Sequence, residues 1–203
     1  MGSMGSRYEI RLSGSGGQGI ILMGIILAEA IGIYEGKFVA QTQSYGPEAR
    51  GGSSKSEVIV SDEEIDYPKA MKTDLFLAMN QKSCDEYYSD LKPGGLLIAD
   101  STFVAQVPVP KAIQIPFTRI AREKFKREMV ANIVALGALT QLTPIVTPKA
   151  MESAVLARVP KGTEKMNRDA LKAGMAAAKR AKKVSIETEG NSEILGEDLL
   201  DSY

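Results

Sequence analysis

The chain has 203 residues, enough for one buried core, and it carries 25 Lys plus Arg against 25 Asp plus Glu, so its formal charge is zero. That balance gives no basic surplus of the kind a nucleic-acid binder carries. With no histidine and one cysteine, Cys84, the chain has no Ser-His-Asp triad, no Cys-His pair, no histidine metal site and no cysteine set for an iron–sulfur cluster.

The single thiol also excludes an intrachain disulfide framework and points to a reducing, cytoplasmic setting. No charge-free run reaches the ~18 residues of a membrane span. Met1-Gly2-Ser3-Met4-Gly5-Ser6 repeats itself and reads as a cloning scar outside the fold.

Tyr8 to Leu12 alternates and predicts a first strand. Gly14-Ser15-Gly16-Gly17-Gln18-Gly19 follows at once and leads into an apolar run, Ile20 to Ile33, that predicts a buried helix stopped by Gly36. Lys37 to Thr42 predicts a second strand, completing a βαβ unit. A second glycine loop, Ser44-Tyr45-Gly46-Pro47-Glu48-Ala49-Arg50-Gly51-Gly52, leads to a strand over Ser54 to Val60 and then a docking loop at Ile65-Asp66-Tyr67-Pro68.

Leu75 to Met79 and Leu96 to Asp100 read as strands buried on both faces, separated by a helix over Gln81 to Leu91. Ala112 to Ile115 is a short strand closed by Pro116. The second half is helical. Thr118 caps a helix reaching Lys126, with Glu123 and Arg127 four apart. Further helices cover Met129 to Leu142, Pro148 to about Arg158 behind a Thr147 cap, and Thr163 onward.

The last of these carries Met166, Ala170, Leu171, Gly174, Ala177, Ala178 and Ala181 on one face and ends in Lys179, Arg180, Lys182 and Lys183, which suit a helix carboxyl end. Residues 184–203 hold six acids and no base and read as a flexible acidic tail, or as a segment that orders on a partner. The expectation is a single α/β domain over 7–183, Rossmann-like, with a mainly parallel sheet and a helical carboxyl half.

Gly14, Gly16 and Gly19 satisfy G-x-G-x-x-G between a strand and a helix, where backbone N–H groups and the helix dipole favour an anion. A dinucleotide site also needs an acid at the end of the second strand, and Ala40-Gln41-Thr42-Gln43 offers none. A tight packing turn without a ligand explains the same glycines. In the second loop Pro47 favours a turn, Gly51 and Gly52 permit close backbone approach, and Arg50 presents a planar fork for carboxylate or phosphate, unless it pairs with Glu48 or a neighbouring acid in a structural turn. Both loops leave the carboxyl ends of strands and should open on one edge of the sheet. Cys84 has no base beside it and reads as structural.

Taken together, these motifs resemble the gamma subunit of the 2-oxoacid:ferredoxin oxidoreductases. The resemblance runs from Tyr8 to Lys183 and rests on both loops, on Ser61 to Pro68, on Asn132 to Gly137, and on Val159 to Thr163 followed by Asn167. Glu48-Ala49-Arg50 and Ile65-Asp66-Tyr67-Pro68 are most similar to the 2-oxoglutarate branch, with pyruvate and branched-chain branches open. The resemblance implies alpha and beta subunits and a ferredoxin-like subunit as partners. Thiamine diphosphate, magnesium and the iron–sulfur clusters would reside in those partners, with CoA as co-substrate and ferredoxin as acceptor. It assigns no general base, nucleophile or metal ligand to this chain. Gly14, Gly16, Gly17, Gln18, Gly19, Tyr45, Glu48, Arg50, Gly51 and Gly52 would shape the site and the interface. Two other readings remain: a free-standing dinucleotide-dependent oxidoreductase, and a scaffold whose loops bind only partner subunits.

Overall fold

Strand β1 (Arg7–Ser15) alternates as its sequence predicts, sending Ile10 and Leu12 to one face of the sheet and Glu9, Arg11 and Ser13 to the other. In the computed structural model, which describes residues 7–45, 53–108 and 112–197 (the side chains of Tyr45 and of 182–197 excepted), β1 lies inside a six-stranded sheet. The other strands are β2 (Phe38–Tyr45), β3 (Ser53–Ser61), β4 (Thr73–Ala78), β5 (Leu91–Asp100) and β6 (Ile113–Ile115), in the order β2-β3-β1-β4-β5-β6.

The α/β class holds, with a mixed sheet. β4, β5 and β6 run parallel to β1, whereas β3 runs antiparallel to both β1 and β2. The expected βαβ unit is split: β3 sits between β1 and β2. The 46–52 segment is too short for a parallel crossover, which takes roughly a dozen residues or more, so β2 and β3 pair as a hairpin. Two antiparallel steps leave β2 pointing the same way as β1.

One face of the sheet carries the main core, where Ile10, Leu12, Val58, Val60, Leu75, Leu77, Ile98 and Ile115 meet the helices. Helix α1 (Ile20–Glu29) continues through a wider turn over Ala30–Tyr34 and buries Ile20, Met23, Ile26 and Leu27. Helix α4 (Ala131–Leu142) is buried from Ala131 to Thr140, packed among its neighbours α1, α5 (Pro148–Arg158) and α6 (Glu164–Glu197). Thr147 caps α5 by accepting the Ala150 N–H, with Pro148 in the first turn, as the sequence predicts. The opposite face carries a smaller core of Phe76, Ala78, Cys84, Leu97, Ala99 and Val104 under the short helix α2 (Gln81–Tyr87).

α4 and α6 cross backbone to backbone. A Cβ on Gly137 would lie 2.0 Å from the Leu171 carbonyl oxygen, and one on Gly174 would lie 1.9 Å from that of Val134. The face of α6 expected to be apolar is the face that packs here, with Ala170, Leu171, Gly174, Ala177 and Ala178 buried.

Several boundaries differ from expectation. α2 ends at Tyr87, a single 3-10 turn covers Tyr88–Asp90, and β5 begins at Leu91. Pro93-Gly94-Gly95 is accommodated by a register slip between Thr73↔Leu91 and Leu75↔Leu96. Helix α3 (Phe117–Ile120) starts one residue before Thr118 and passes through a wide turn (Ala121–Phe125) to Lys126 at φ 55. That left-handed residue removes the helical spacing Glu123 and Arg127 would need, and Arg122 pairs with Glu128 instead. The α6 backbone stays helical to Glu197, since no proline interrupts 164–197, so Lys179 to Lys183 lie within the helix and not at its end.

Candidate functional site at the carboxyl edge of the sheet

The ladder places the strand ends that flank the two loops side by side. Ser15, the last residue of β1, pairs with Ser53, and Tyr45, the last residue of β2, pairs with Ser54. Both loops therefore open on the edge where β1, β2 and β4 end, as their topology predicts. Tyr45 reaches that edge by its backbone; Glu48, Arg50, Gly51 and Gly52, with Gly46 and Pro47, lie outside the described residues.

The first loop is built around Gln18. Its N–H donates to the Ser15 carbonyl (3.2 Å), its Oε1 accepts the Ser15 N–H (2.6 Å), and its Nε2 donates to the Met79 carbonyl (3.2 Å). Gln18 thus closes the loop on itself and fastens it to the end of β4. Gly14 is buried beneath it, while Gly16 and Gly17 stand exposed. Gly19 occupies the N-cap of α1 at φ 73, where it offers no capping side chain. A Cβ there would fall 2.4 Å from Asn132 Nδ2, so glycine is required both by the left-handed backbone and by the close approach of α4. The first-turn N–H groups of α1 have no acceptor within the helix, which makes this end suited to an anion.

Asp100, buried at the end of β5, holds the neighbouring crossover. It accepts the Thr102 N–H at Oδ1 (3.0 Å) and both the N–H and hydroxyl of Thr118 at Oδ2 (3.1 and 2.5 Å). Thr118 therefore serves Asp100 and is not the cap of α3. Between the first loop and the start of α4 lies a cavity of about 170 Å³ lined by Gly17, Gln18, Met79, Thr118, Glu128, Met129 and Ala131. Met129, 81% exposed, stands at its rim.

Asn80 and Glu86 escaped the sequence reading. Asn80 caps α2 through the Ser83 N–H (2.8 Å), a role its place between a buried strand and a helix could have revealed. Glu86 accepts the Ser53 hydroxyl (2.8 Å). A hydrogen bond with Tyr87 does most to hold its carboxyl below the usual range, with Ser53 adding to it. No sequence pattern announces that pairing across the fold.

Among the described residues of the edge, the backbone N–H groups at the start of α1 suit an anion, and the chain's one thiol is not exposed there. Cys84 is buried, and burial followed by the Asp85 charge pushes its thiol from the ordinary 9.0 to about 11. Native protein should therefore resist iodoacetamide at pH 8 and react once urea unfolds it; rapid native alkylation would contradict the buried placement. Between pH 9.0 and about 11 the unfolded chain loses this proton while the folded chain keeps it, so the thiol makes stability fall as pH rises through that window. The residues do not fit a cluster or metal: the one cysteine is enclosed, and among the described residues no group of three His, Cys, Asp or Glu converges. Nor do they fit a dinucleotide. β2 ends without an acid, and β3 holds it two strand spacings from β1, roughly 10 Å away.

Residues 9–177 match the pyruvate ferredoxin/flavodoxin oxidoreductase family. The chain belongs to that family. It is 53% identical over 177 residues to the 2-oxoglutarate synthase subunit KorC of Methanocaldococcus jannaschii, an alignment covering 85% of this chain and 95% of that one. The crystal structure of the gamma subunit of a keto/oxoacid ferredoxin oxidoreductase from Geobacter sulfurreducens superposes with a TM-score of 0.76 at 49% identity, over 84% of this chain and 98% of that one. The 2-oxoglutarate:ferredoxin oxidoreductase of Magnetococcus marinus, solved with 2-oxoglutarate, coenzyme A and succinyl-CoA bound, superposes with a TM-score of 0.77 at 26% identity. That match covers 87% of this chain but 32% of the Magnetococcus chain, so there the domain is one part of a longer polypeptide.

This chain is thus the gamma subunit of a 2-oxoacid:ferredoxin oxidoreductase, one component of a multi-subunit oxidoreductase. Among the described residues no helix is long and apolar enough to cross a membrane.

Proposed function

We propose that this gamma subunit serves an enzyme that converts 2-oxoglutarate and CoA to succinyl-CoA and CO₂ while oxidised ferredoxin takes up the electrons. Thiamine diphosphate with magnesium and the iron–sulfur clusters belong to the alpha, beta and ferredoxin-like subunits. The gamma subunit is inactive alone and completes the active-site channel. The observation that supports this reading is the register of Ser15 with Ser53 and of Tyr45 with Ser54, which brings the strand ends that flank the two loops together on one edge of the sheet. The KorC likeness and the ligands of the Magnetococcus enzyme support 2-oxoglutarate over other 2-oxoacids.

In this reading the backbone of Gly16, Gly17 and Gly19 and the amino end of α1 face the CoA diphosphate, with Gly14 and Gln18 shaping the loop. Tyr45, Glu48, Arg50, Gly51 and Gly52 meet CoA and the catalytic subunits. CoA supplies the thiol that accepts the acyl group; the chain's part is to bind and orient it.

Copurification with the partner subunits, followed by viologen reduction, tests this reading. Reduction should require both 2-oxoglutarate and CoA. Faster turnover with pyruvate or 2-oxoisovalerate would move the chain to another branch. Arg50→Ala should raise the CoA KM about tenfold, the loss of one charge-assisted hydrogen bond, or weaken assembly. If it does neither, the second loop touches neither CoA nor partner.

A further inference from the structure

Asn132 stands at the head of the 132–137 motif, in the first turn of α4, and is 5% exposed. Its Oδ1 accepts the N–H of Ile133 (2.8 Å), which fixes the amide and turns Nδ2 toward Gly19. Nδ2 has no acceptor among the described residues. No fully enclosed side-chain nitrogen or oxygen among them lacks a partner, so this nitrogen touches solvent. It is an open donor at the tip of an otherwise buried side chain.

The amide faces donors, not acceptors. Gly19 is the N-cap of α1; it brings no capping side chain, and no acid lies in the first turn. α4 starts in the same way, with no side-chain cap and no acid in its first turn. The positive ends of two helices, of 10 and 12 residues, thus meet at Gly19 and Asn132. Donors gathered in this way call for an acceptor among them, and an anion suits all of them at once. A carboxylate in place of the amide would answer both helix ends from within the chain; the amide leaves their field to a ligand. The cavity of about 170 Å³ lined by Gly17, Gln18 and Ala131 adjoins both helix starts and gives access. Glu128, the one acid lining it, is paired with Arg122 (2.8 Å).

We infer that Asn132 is a binding residue for a phosphate group, donating from Nδ2 to an anionic oxygen held at the same time by the amino end of α1. The inference rests on the reading that this end faces the CoA diphosphate. It adds to that backbone cradle a side chain from the helical half of the chain. Gly19 is what admits it, because a Cβ there would cover Nδ2.

The test uses the assembled complex, with the KM values for CoA and 2-oxoglutarate and the melting temperature read on each variant. Asn132→Asp keeps the size of the side chain and the bond to Ile133, and replaces the donor by a negative oxygen. The melting temperature should hold or rise, since the charge suits both helix ends, while the CoA KM rises about a hundredfold. Asn132→Ala should raise it about tenfold, one charge-assisted hydrogen bond's worth, with kcat within about twofold. The 2-oxoglutarate KM should move in neither variant. Dephospho-CoA, which lacks the ribose phosphate but keeps the diphosphate, should show the same penalty. Pantetheine, which has the thiol arm and no phosphate, should show none. A penalty on pantetheine or on 2-oxoglutarate as large as that on CoA would overturn the assignment, as would a penalty absent from dephospho-CoA. An unchanged CoA KM in Asn132→Asp, while Arg50→Ala raises it, would overturn the inference and leave the reading of the edge standing. An unchanged KM and assembly in Arg50→Ala as well would bring down both.

Discussion

Gly174→Ala is expected to lower the melting temperature by roughly 5–10 °C, a cost of about 2–3 kcal/mol for overpacking in a chain of this size. The added methyl would lie 1.9 Å from the Val134 carbonyl oxygen and 3.0 Å from the Ala138 nitrogen, both backbone atoms of α4. Neither can swing aside, so α4 and α6 must move apart. Alanine's better helix propensity offsets only about 1 kcal/mol of that. Gly137→Ala meets the Leu171 carbonyl at 2.0 Å and should behave alike. Thermal unfolding followed by circular dichroism decides it. An unchanged or raised melting temperature would mean the helices are not in backbone contact. Because Asn132 abuts Gly19 from the first turn of α4, a shift of that helix would also reach the first loop.

The second large effect is expected beneath α2. Arg11 is 3% exposed and Glu57 7%, on the face of the sheet opposite the main core. The guanidinium donates to Glu57 Oε1 from Nε (3.0 Å), approaches the same oxygen with a second nitrogen (2.9 Å), and also bonds the half-exposed Asp90. Glu57→Ala leaves a buried cation short of its counter-charge and should destabilise by about 3 kcal/mol, whereas replacing Arg11 by Met and Glu57 by Leu together should recover most of the loss. Urea unfolding at pH 7 measures both. A double variant as unstable as the single would show that the pair contributes through packing, as the platform for Tyr87, more than through charge.

Much of the fold was legible because its signals are local. β1 and the cap of α5 follow from alternation and from Thr147-Pro148, and the apolar stripe of α6 follows from its period. The insertion of β3 between β1 and β2 was not legible as a partner choice. Strand residues such as Val58 and Val60 fit either neighbour, and the length of segment 46–52, which forces a hairpin, was overridden by the G-x-G-x-x-G expectation. In the site, the glycines and Gln18 stood out by composition. Their supports, Asn80 and Glu86, did not, because the bonds to Ser15 and Ser53 join residues 65 and 33 positions apart. Thr118 misled for the same reason: its hydroxyl had a local use as a cap and a distant one at Asp100, and the buried carboxylate gives the stronger hydrogen bond.

Hydrogen–deuterium exchange on the gamma subunit, compared alone, in the assembled complex, and in the complex with CoA, tests most directly whether the two-loop edge faces the active site. Peptides covering 13–22 and 44–56 should gain protection on assembly and gain more when CoA is added, while α5 and the outer face of α6 stay unchanged. Protection gathered on α5 and α6, with both loops exchanging as they do in the free subunit, would contradict it.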